Sequence, residues 1–304
     1  MRWCSNGKDF TMQILEKCTL CPRECKVNRN EGHLGRCRAG KNIKIALSNL
    51  HYYEEPCISG KNGSGTVFFT GCNLSCKFCQ NYKISQEFSG YEITIQDLAN
   101  EFLKLQEEGA HNINLVTAFA YVPMIVEALD IAKNKGLNIP IVYNTSGYES
   151  LETLKMLDGY IDVYLPDLKY AYDELSKNLS DVNNYFEIAK NAIKEMKRQV
   201  GNPVFDDNGM IQKGLIVRHL VLPNHLQNSK KVLKWIRDNL GTDTYVSVMA
   251  QYFPSYKANE TEDVNRKLCE EEYKEIENYF YRLSLKNGYM QEIEEDETKY
   301  VPNF

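Results

Sequence analysis

From residue 66 onward the chain alternates short apolar strands with amphipathic helices, a beat that restricts it to a largely parallel sheet covered by helices. Thr66 to Phe69 is a β-prone run, followed by a helical face of Ile95, Leu98, Phe102 and Leu105. INLV from Ile113, PIVYN at 140–144, YIDVYLPDLK, KGLIVRHLVLP and TYVSVMAQY supply the later strands. Between them lie helical stripes of Val122, Val126 and Leu129, of residues 151–157, of 183–200 and of Val232, Leu233, Ile236 and Leu240, and Tyr273, Ile276, Phe280 and Leu283 mark the last. The pattern makes an α/β fold of about six strand-helix units, which by itself suits a partial barrel or an open doubly wound sheet. In any such sheet, polar residues just past the strand C-termini line the active face.

With 304 residues, 43% hydrophobic and 25% charged, the chain is long enough for a large core and too apolar for disorder. A net charge of -5 argues against salt-driven nucleic-acid binding. No run approaches the roughly 18 apolar residues of a membrane helix. No apolar signal segment follows Met1-Arg2-Trp3-Cys4-Ser5, so the cytoplasm is the expected compartment. Ten cysteines in a reducing compartment point to metal chemistry rather than disulfides.

Cys72, Cys76 and Cys79 form a C-x3-C-x2-C run in GTVFFTGCNLSCKFCQN, directly after the first strand. Three thiolates can hold three irons of a 4Fe-4S cube and leave the fourth open, as a reactive centre requires. Phe78 is either an apolar wall beside that centre or ordinary core. Cys18, Cys21, Cys25 and Cys37 form a second group, with Gly32 and Gly35 letting the chain fold back to the fourth sulfur. Four soft ligands suit zinc or an iron-sulfur centre, and buried or redox thiols are the alternative. His33 lies in the same loop and is expected on the surface rather than among the ligands. Cys4, Cys57 and Cys269 have no cluster spacing and read as isolated thiols.

The run from Cys72 to Cys79, with its aromatic residue before the last cysteine, resembles the cluster loop of radical S-adenosylmethionine (SAM) proteins. More narrowly the chain resembles proteins related to the activating enzyme of pyruvate formate-lyase. The likeness runs from the Cys18 group through NLVTAFAYVP, YNTSGYESLETLKMLDGYIDVYLPDLKY and VRHLVLPNH to MAQYFP, roughly residues 15–290. It implies a partial, TIM-like (β/α)6 barrel over residues 61–290. A small N-terminal cysteine-rich metal-binding module at 1–60 and an acidic tail at 291–304 complete the expected organisation. It also implies a 4Fe-4S cluster that reductively cleaves SAM to a 5′-deoxyadenosyl radical, which abstracts hydrogen from a small-molecule or peptide substrate. Zinc or a second iron-sulfur cluster at the first cysteine group, and a low-potential donor such as flavodoxin or ferredoxin, belong to the same expectation. A glycyl-radical protein as partner, and an electron-transfer protein without substrate chemistry, are the competing functions.

Among the polar strand ends, Asp167 and Lys169 in YLPDLKY stand two apart on an extended segment and so point the same way. The resemblance gives this Asp-x-Lys element a place near the cofactor; a solvent-facing pair is the plain alternative. Asn144, Thr145 and Ser146 suit cofactor hydrogen bonds or a helix cap. Arg218 and His219 alternate, so only one enters the barrel interior; the resemblance favours Arg218, and His219 reads as structural. Gln251 is a cofactor or substrate contact, or a loop-stabilising amide. Gly60 and Gly65 fit either a close approach to the cofactor or a turn, whereas Gly63 reads as a turn. Asp206 and Asp207 belong to a surface turn.

The chain departs from the family pattern at Thr117-Ala118-Phe119-Ala120, where the usual run resembles Thr-Pro-Thr-His, and at Ala250-Gln251-Tyr252-Phe253-Pro254, where it resembles Ser-Gln-Tyr-Thr-Pro. Phe119 and Phe253 are therefore expected either to line a specialised substrate pocket or to pack the core.

Overall fold

Residues 7–293, 301, 302 and 304 are described by the structure, a computed structural model. Ten strands follow one another: β1 (Ile43–His51), β2 (Ser64–Phe69), β3 (Tyr91–Ile93), β4 (Ile113–Val116), β5 (Ile141–Thr145), β6 (Val163–Pro166), β7 (Val204–Phe205), β8 (Ile211–Leu220), β9 (Tyr245–Met249) and β10 (Gly288–Met290). They form one sheet in the order β10-β9-β8-β6-β5-β4-β2-β1-β3, with β7 attached to β8 as a short hairpin. From β2 to β10 every neighbouring pair along this path is parallel, whereas β1 pairs antiparallel with both β2 and β3. Among the described residues the two ends of the path do not pair, so the sheet curves as a partial barrel.

Strands β2, β4, β5 and β6 are buried along their whole length, the signature of a parallel sheet covered on both faces. Strand alternation sorts their side chains. Val67, Phe69, Ile113, Leu115, Ile141, Tyr143, Tyr164, Leu215, Val217, Val246 and Val248 pack against the helices in the main core. Val142, Val163, Leu165 and Ile216 pack with Ile58 in a second apolar cluster on the other face, which forms the barrel floor. Continuing along that inner face toward the strand C-termini, the next positions are Asn144, Asp167 and Arg218. The charged pair Asp167 and Arg218 is thereby placed at the C-terminal end of that inner face.

The helices that make this layering possible carry their own stop and start signals. Ile95–Glu107 begins with a capping box in which Thr94 and Asp97 satisfy each other's backbone. Tyr185–Val200 buries Tyr185, Ala189, Ala192, Ile193 and Met196 on one stripe. No helix among the described residues is long and apolar enough to cross a membrane.

Three features differ from the expectation. β1 joins the main sheet along the whole length of β2, so residues before 61 contribute a strand to the barrel sheet as well as the cysteine loop. β10 adds a seventh parallel strand. Gly65 serves packing near the start of β2, where a side chain would press on the Asn112 carbonyl at 2.8 Å, whereas Gly60 takes the expected turn, its amide donating to the Pro56 carbonyl. Asp206 accepts from the amides of Asn208 and Met210 and so closes the turn between β7 and β8. The acidic run at 294–297 and Cys4 lie outside the described residues.

Candidate active site

The loop after β2 turns sharply at Gly71, whose φ of 85° few other residues adopt. It then sends Cys72, Cys76 and Cys79 back over the barrel mouth. All three line one cavity of about 160 Å³, together with Asn144, Ser146, Asp167, Lys169 and Arg218. Burial pushes each thiol up, Cys79 to about 11, and the neighbouring cysteines add to the effect for Cys72 and Cys79. Ser180 donates to the Cys76 sulfur at 2.9 Å, and the Ser85 hydroxyl lies 3.1 Å from that of Cys79. Phe78 lines the adjoining cavity of about 210 Å³ and meets the Tyr252 ring edge-on at 5.7 Å.

Among the described residues no three His, Cys, Asp or Glu side chains converge on a point as ligands of a single ion do. A cube poses a different requirement, because each thiolate binds its own iron and the sulfurs stand apart around it. Three soft donors lining one cavity, Cys76 buried and Cys72 and Cys79 half-buried, fit such a group.

Opposite the cysteines lies a buried ion network. Asp167 accepts from Lys169 Nζ at 2.5 Å and from Arg218 Nε at 2.9 Å. Arg218 also donates to Asn144 Oδ1 at 2.6 Å and pairs with Glu54 at 3.2 Å. Glu54 accepts in turn from Asn114 at 2.9 Å and Asn144 at 3.1 Å. Burial opposes ionisation of Asp167, yet Arg218 and Lys169 hold its carboxyl below the usual range. For Lys169 burial works against the charge, and Asp167 more than restores it. Asp167, Lys169 and Arg218 are thus held in their charged forms at one end of the barrel.

Other polar candidates fall into place around this centre. His219 points the opposite way from Arg218, into the helix layer, where it bonds the Leu168 carbonyl at 2.7 Å and Ser229 at 2.8 Å. Burial lowers it to about 4, so it is a neutral structural group. Ser146 lines the cysteine cavity and its carbonyl accepts from the Tyr185 hydroxyl at 2.7 Å. The Thr145 hydroxyl is engaged by the buried carboxyl of Glu149. Gln251 lines the Phe78 cavity, its carbonyl accepting from Gln80 at 2.8 Å and its side chain from Gln291 at 2.9 Å. Phe119 and Phe253 are not among the residues lining these cavities. Phe119 is buried in the main core on a short 3₁₀ turn, and Phe253 is half-buried in the loop after β9 beside the buried Tyr252.

The first cysteine loop docks beside the second through arginines. Arg23 donates to the Asn73 carbonyl at 2.9 Å, Arg36 to Ser75 at 2.6 Å and Arg38 to the Gln86 carbonyl at 2.8 Å. Arg29, 1% exposed, donates to the carbonyls of Gly40 and Ala120 and holds the loop against the Tyr121 ring. Burial pushes Cys21 up to about 12 and raises Cys37. Cys25 raises both further, so at least these sulfurs are electrostatic neighbours. His33 is largely exposed, 3.9 Å from Glu31. Cys57 is buried, and Cys269 is exposed at a helix start.

Sequence reading passed over Glu54 and Arg29. For Glu54 the available signal was a pair of acids, Glu54-Glu55, set between two tyrosines and a proline; for Arg29, nothing in the local sequence separates it from Arg23 and Arg36.

Comparison with known proteins agrees with this geometry. The sequence profile of the Radical SAM superfamily matches residues 66–215, the stretch from β2 into β8. An uncharacterized protein of Methanocaldococcus jannaschii is 34% identical over 279 residues, covering 88% of this chain and 75% of that protein. The pyruvate formate-lyase-activating enzyme of Clostridium pasteurianum is 22% identical over 251 residues, covering 79% of this chain and 99% of the enzyme. Among solved structures, Streptococcus suis SuiB bound to S-adenosylmethionine superposes with a TM-score of 0.50 at 14% identity. That alignment covers 73% of this chain and 48% of SuiB, so the chain spans about half of that structure's length and shares its fold alone. Fold, cysteine loop and matched profile together show that the chain belongs to the radical SAM superfamily.

Proposed function

We propose that this protein is a radical SAM enzyme acting on a small molecule or peptide, with Cys72, Cys76 and Cys79 holding a 4Fe-4S cluster. The observation that carries the reading is that the three thiols share one cavity with Asn144, Asp167, Lys169 and Arg218. When bound, the cluster supplies one electron to SAM, whose carbon-sulfur bond breaks to give methionine and a 5′-deoxyadenosyl radical that takes a hydrogen atom from substrate. The chain's own residues bind and orient. Asp167 and Arg218 meet the amine, ribose or carboxylate of SAM, Lys169 neutralises charge beside Cys76, Asn144, Ser146 and Gln251 supply hydrogen bonds, and Phe78 excludes water. Cys18, Cys21, Cys25 and Cys37 hold a separate zinc or iron-sulfur centre in the loop that precedes β1. A low-potential flavodoxin or ferredoxin in the cytoplasm is the electron source.

Anaerobic reconstitution, dithionite reduction and chromatography for 5′-deoxyadenosine test the reading. Wild type should form it, and Cys72→Ala, Cys76→Ala and Cys79→Ala should each lose both iron and product while keeping the fold. A loaded, reduced cluster that binds SAM and never cleaves it refutes the assignment.

Activation of a glycyl-radical protein is the second reading, favoured by the alignment that spans nearly the whole Clostridium activating enzyme. Electron paramagnetic resonance for a protein-centred doublet, after incubation with candidate partners, separates the two.

A further inference from the structure

Beside the site, on the inner ends of β8 and β9, lies a third cavity of about 310 Å³. It shares Tyr53, Glu54, Arg218, Met249 and Gln251 with the cavity that carries Cys76 and Cys79, so the two spaces adjoin. Tyr52 and Tyr289 complete an aromatic wall, and Glu55 stands within it.

Glu55 is the anomaly. It is 8% exposed, and its Oε2 has no hydrogen-bond partner. It begins the short helix Pro56–Ser59, but its side chain makes no cap to that helix. The ion network nearby does not complete it. Lys169 pairs with Asp167, and Arg218 is shared between Asp167 and Glu54, so the two cations are already matched by two carboxylates and Glu55 makes a third. Burial raises the Glu55 carboxyl, and Glu54 raises it further, with Arg218 acting in the opposite direction. Ser247 donates to the carboxyl, which leaves Oε2 as the open acceptor, and a buried acceptor left unpaired is costly and calls for a bound partner.

We propose that this cavity is the substrate subsite and that Glu55 Oε2 receives the ammonium group of a small amine substrate. The tyrosines around it suit the same ligand, since aromatic faces attract a cation. The cavity suits a molecule of amino-acid or short-amine size, whose remaining atoms would extend past Met249 and Gln251 toward the cysteine wall. The inference rests on the reading of the adjoining cavity as the SAM site, because that makes this one the place where a second molecule meets the reaction.

The test uses the full chain, reconstituted with its cluster and saturated with SAM. Binding of n-pentylammonium is compared with that of neutral 1-pentanol by calorimetry. The cation should bind roughly tenfold to a hundredfold more tightly, the range expected for a hydrogen bond to a charged group. Glu55→Gln should bring the two probes to equal affinity. Methyl-labelled methionine in the wild type provides a reading that no variant's folding can obscure, since the Met249 and Met290 resonances should both shift with pentylammonium. Equal binding of the probes to wild type, a preference that survives Glu55→Gln, still methionine methyls, or displacement of the probe by SAM would each overturn the proposal. Formation of 5′-deoxyadenosine in the same preparation reports on the proposed reaction separately. Probe discrimination without it leaves the amine site standing, and product without discrimination refutes the amine site alone.

Discussion

The carbonyl oxygen of Cys37 packs directly over the α-carbon of Gly71, in the space a Cβ at that position would occupy. The last cysteine of the first loop and the residue that precedes the first cysteine of the second are therefore in van der Waals contact. Backbone contact of this kind fixes the two loops to one another more tightly than side chains alone, because neither carbonyl nor α-carbon has a rotamer to yield.

Gly71→Ala is expected to break that seat. A side chain there meets both the positive φ and the Cys37 carbonyl, at a cost of about 1–3 kcal/mol. A melting-temperature fall of at least about 2 °C should accompany reduced iron retention after gel filtration. A variant as stable and as iron-rich as wild type would show that the contact is slack.

Asp167→Asn should be more damaging than an ordinary polar substitution. It leaves the buried Arg218 and Lys169 cations without the carboxylate they share, and breaking a buried pair of this kind costs about 3–5 kcal/mol. The Asp167 carboxyl titrates below its unfolded value, so its contribution is fully present above about pH 4 and is lost as pH falls through the folded value. In denaturant titrations the deficit of Asp167→Asn should accordingly be largest near neutrality and shrink on acidification. A deficit that is constant with pH contradicts the ionised network.

Glu149 has the opposite sign. Burial raises its carboxyl from 4.5 to about 8, although Thr145 pulls the other way. Between those values the folded chain keeps a proton that the unfolded chain has released, so stability falls as pH rises across the window and levels off above about 8. Glu149→Gln should flatten this slope, gaining on wild type by several kcal/mol from pH 5 to pH 8, as shifts of this order imply. Urea unfolding at a series of pH values measures it, and parallel profiles for the two proteins would refute the buried proton.

Arg29→Met should loosen the first cysteine loop while sparing the second. The guanidinium satisfies the carbonyls of Gly40 and Ala120, and leaving buried acceptors unpaired costs about 1–3 kcal/mol each. Lysine should not rescue, because a single ammonium cannot reproduce the planar fork. Thiol-reactive labelling should speed up at Cys18 and Cys37 and stay slow at Cys72 and Cys76; uniform labelling rates would mean that Arg29 is not the anchor.

How much was legible in the sequence follows from the range of each interaction. The strand-helix beat, the cysteine spacings and the rule that only one of Arg218 and His219 faces the interior are local properties, whereas the choice of Arg218 came from the family resemblance. Periods of 2 and 3.6 and ligand spacing are written over a few residues, and the fold obeys them at β2, β4, β5, β6 and β8. The conjunction of Asp167 with Lys169 was equally local, two residues along one extended segment.

What the tertiary structure decided lies between residues far apart in the chain. Glu54 meets Asn114, Asn144 and Arg218 only because the segment after β1 enters the partial barrel that β4, β5 and β8 build later in the chain. Arg29 reaches the Ala120 carbonyl across 91 residues, and Cys37 meets Gly71 across the antiparallel addition of β1. Phe119 follows an apolar strand whose pattern serves cavity wall and core alike; it is buried among the residues of the main core. Local propensity sets which element forms and which side chain points inward. Which inward groups share a site is set by closure of the sheet, a long-range event with no short-range signature.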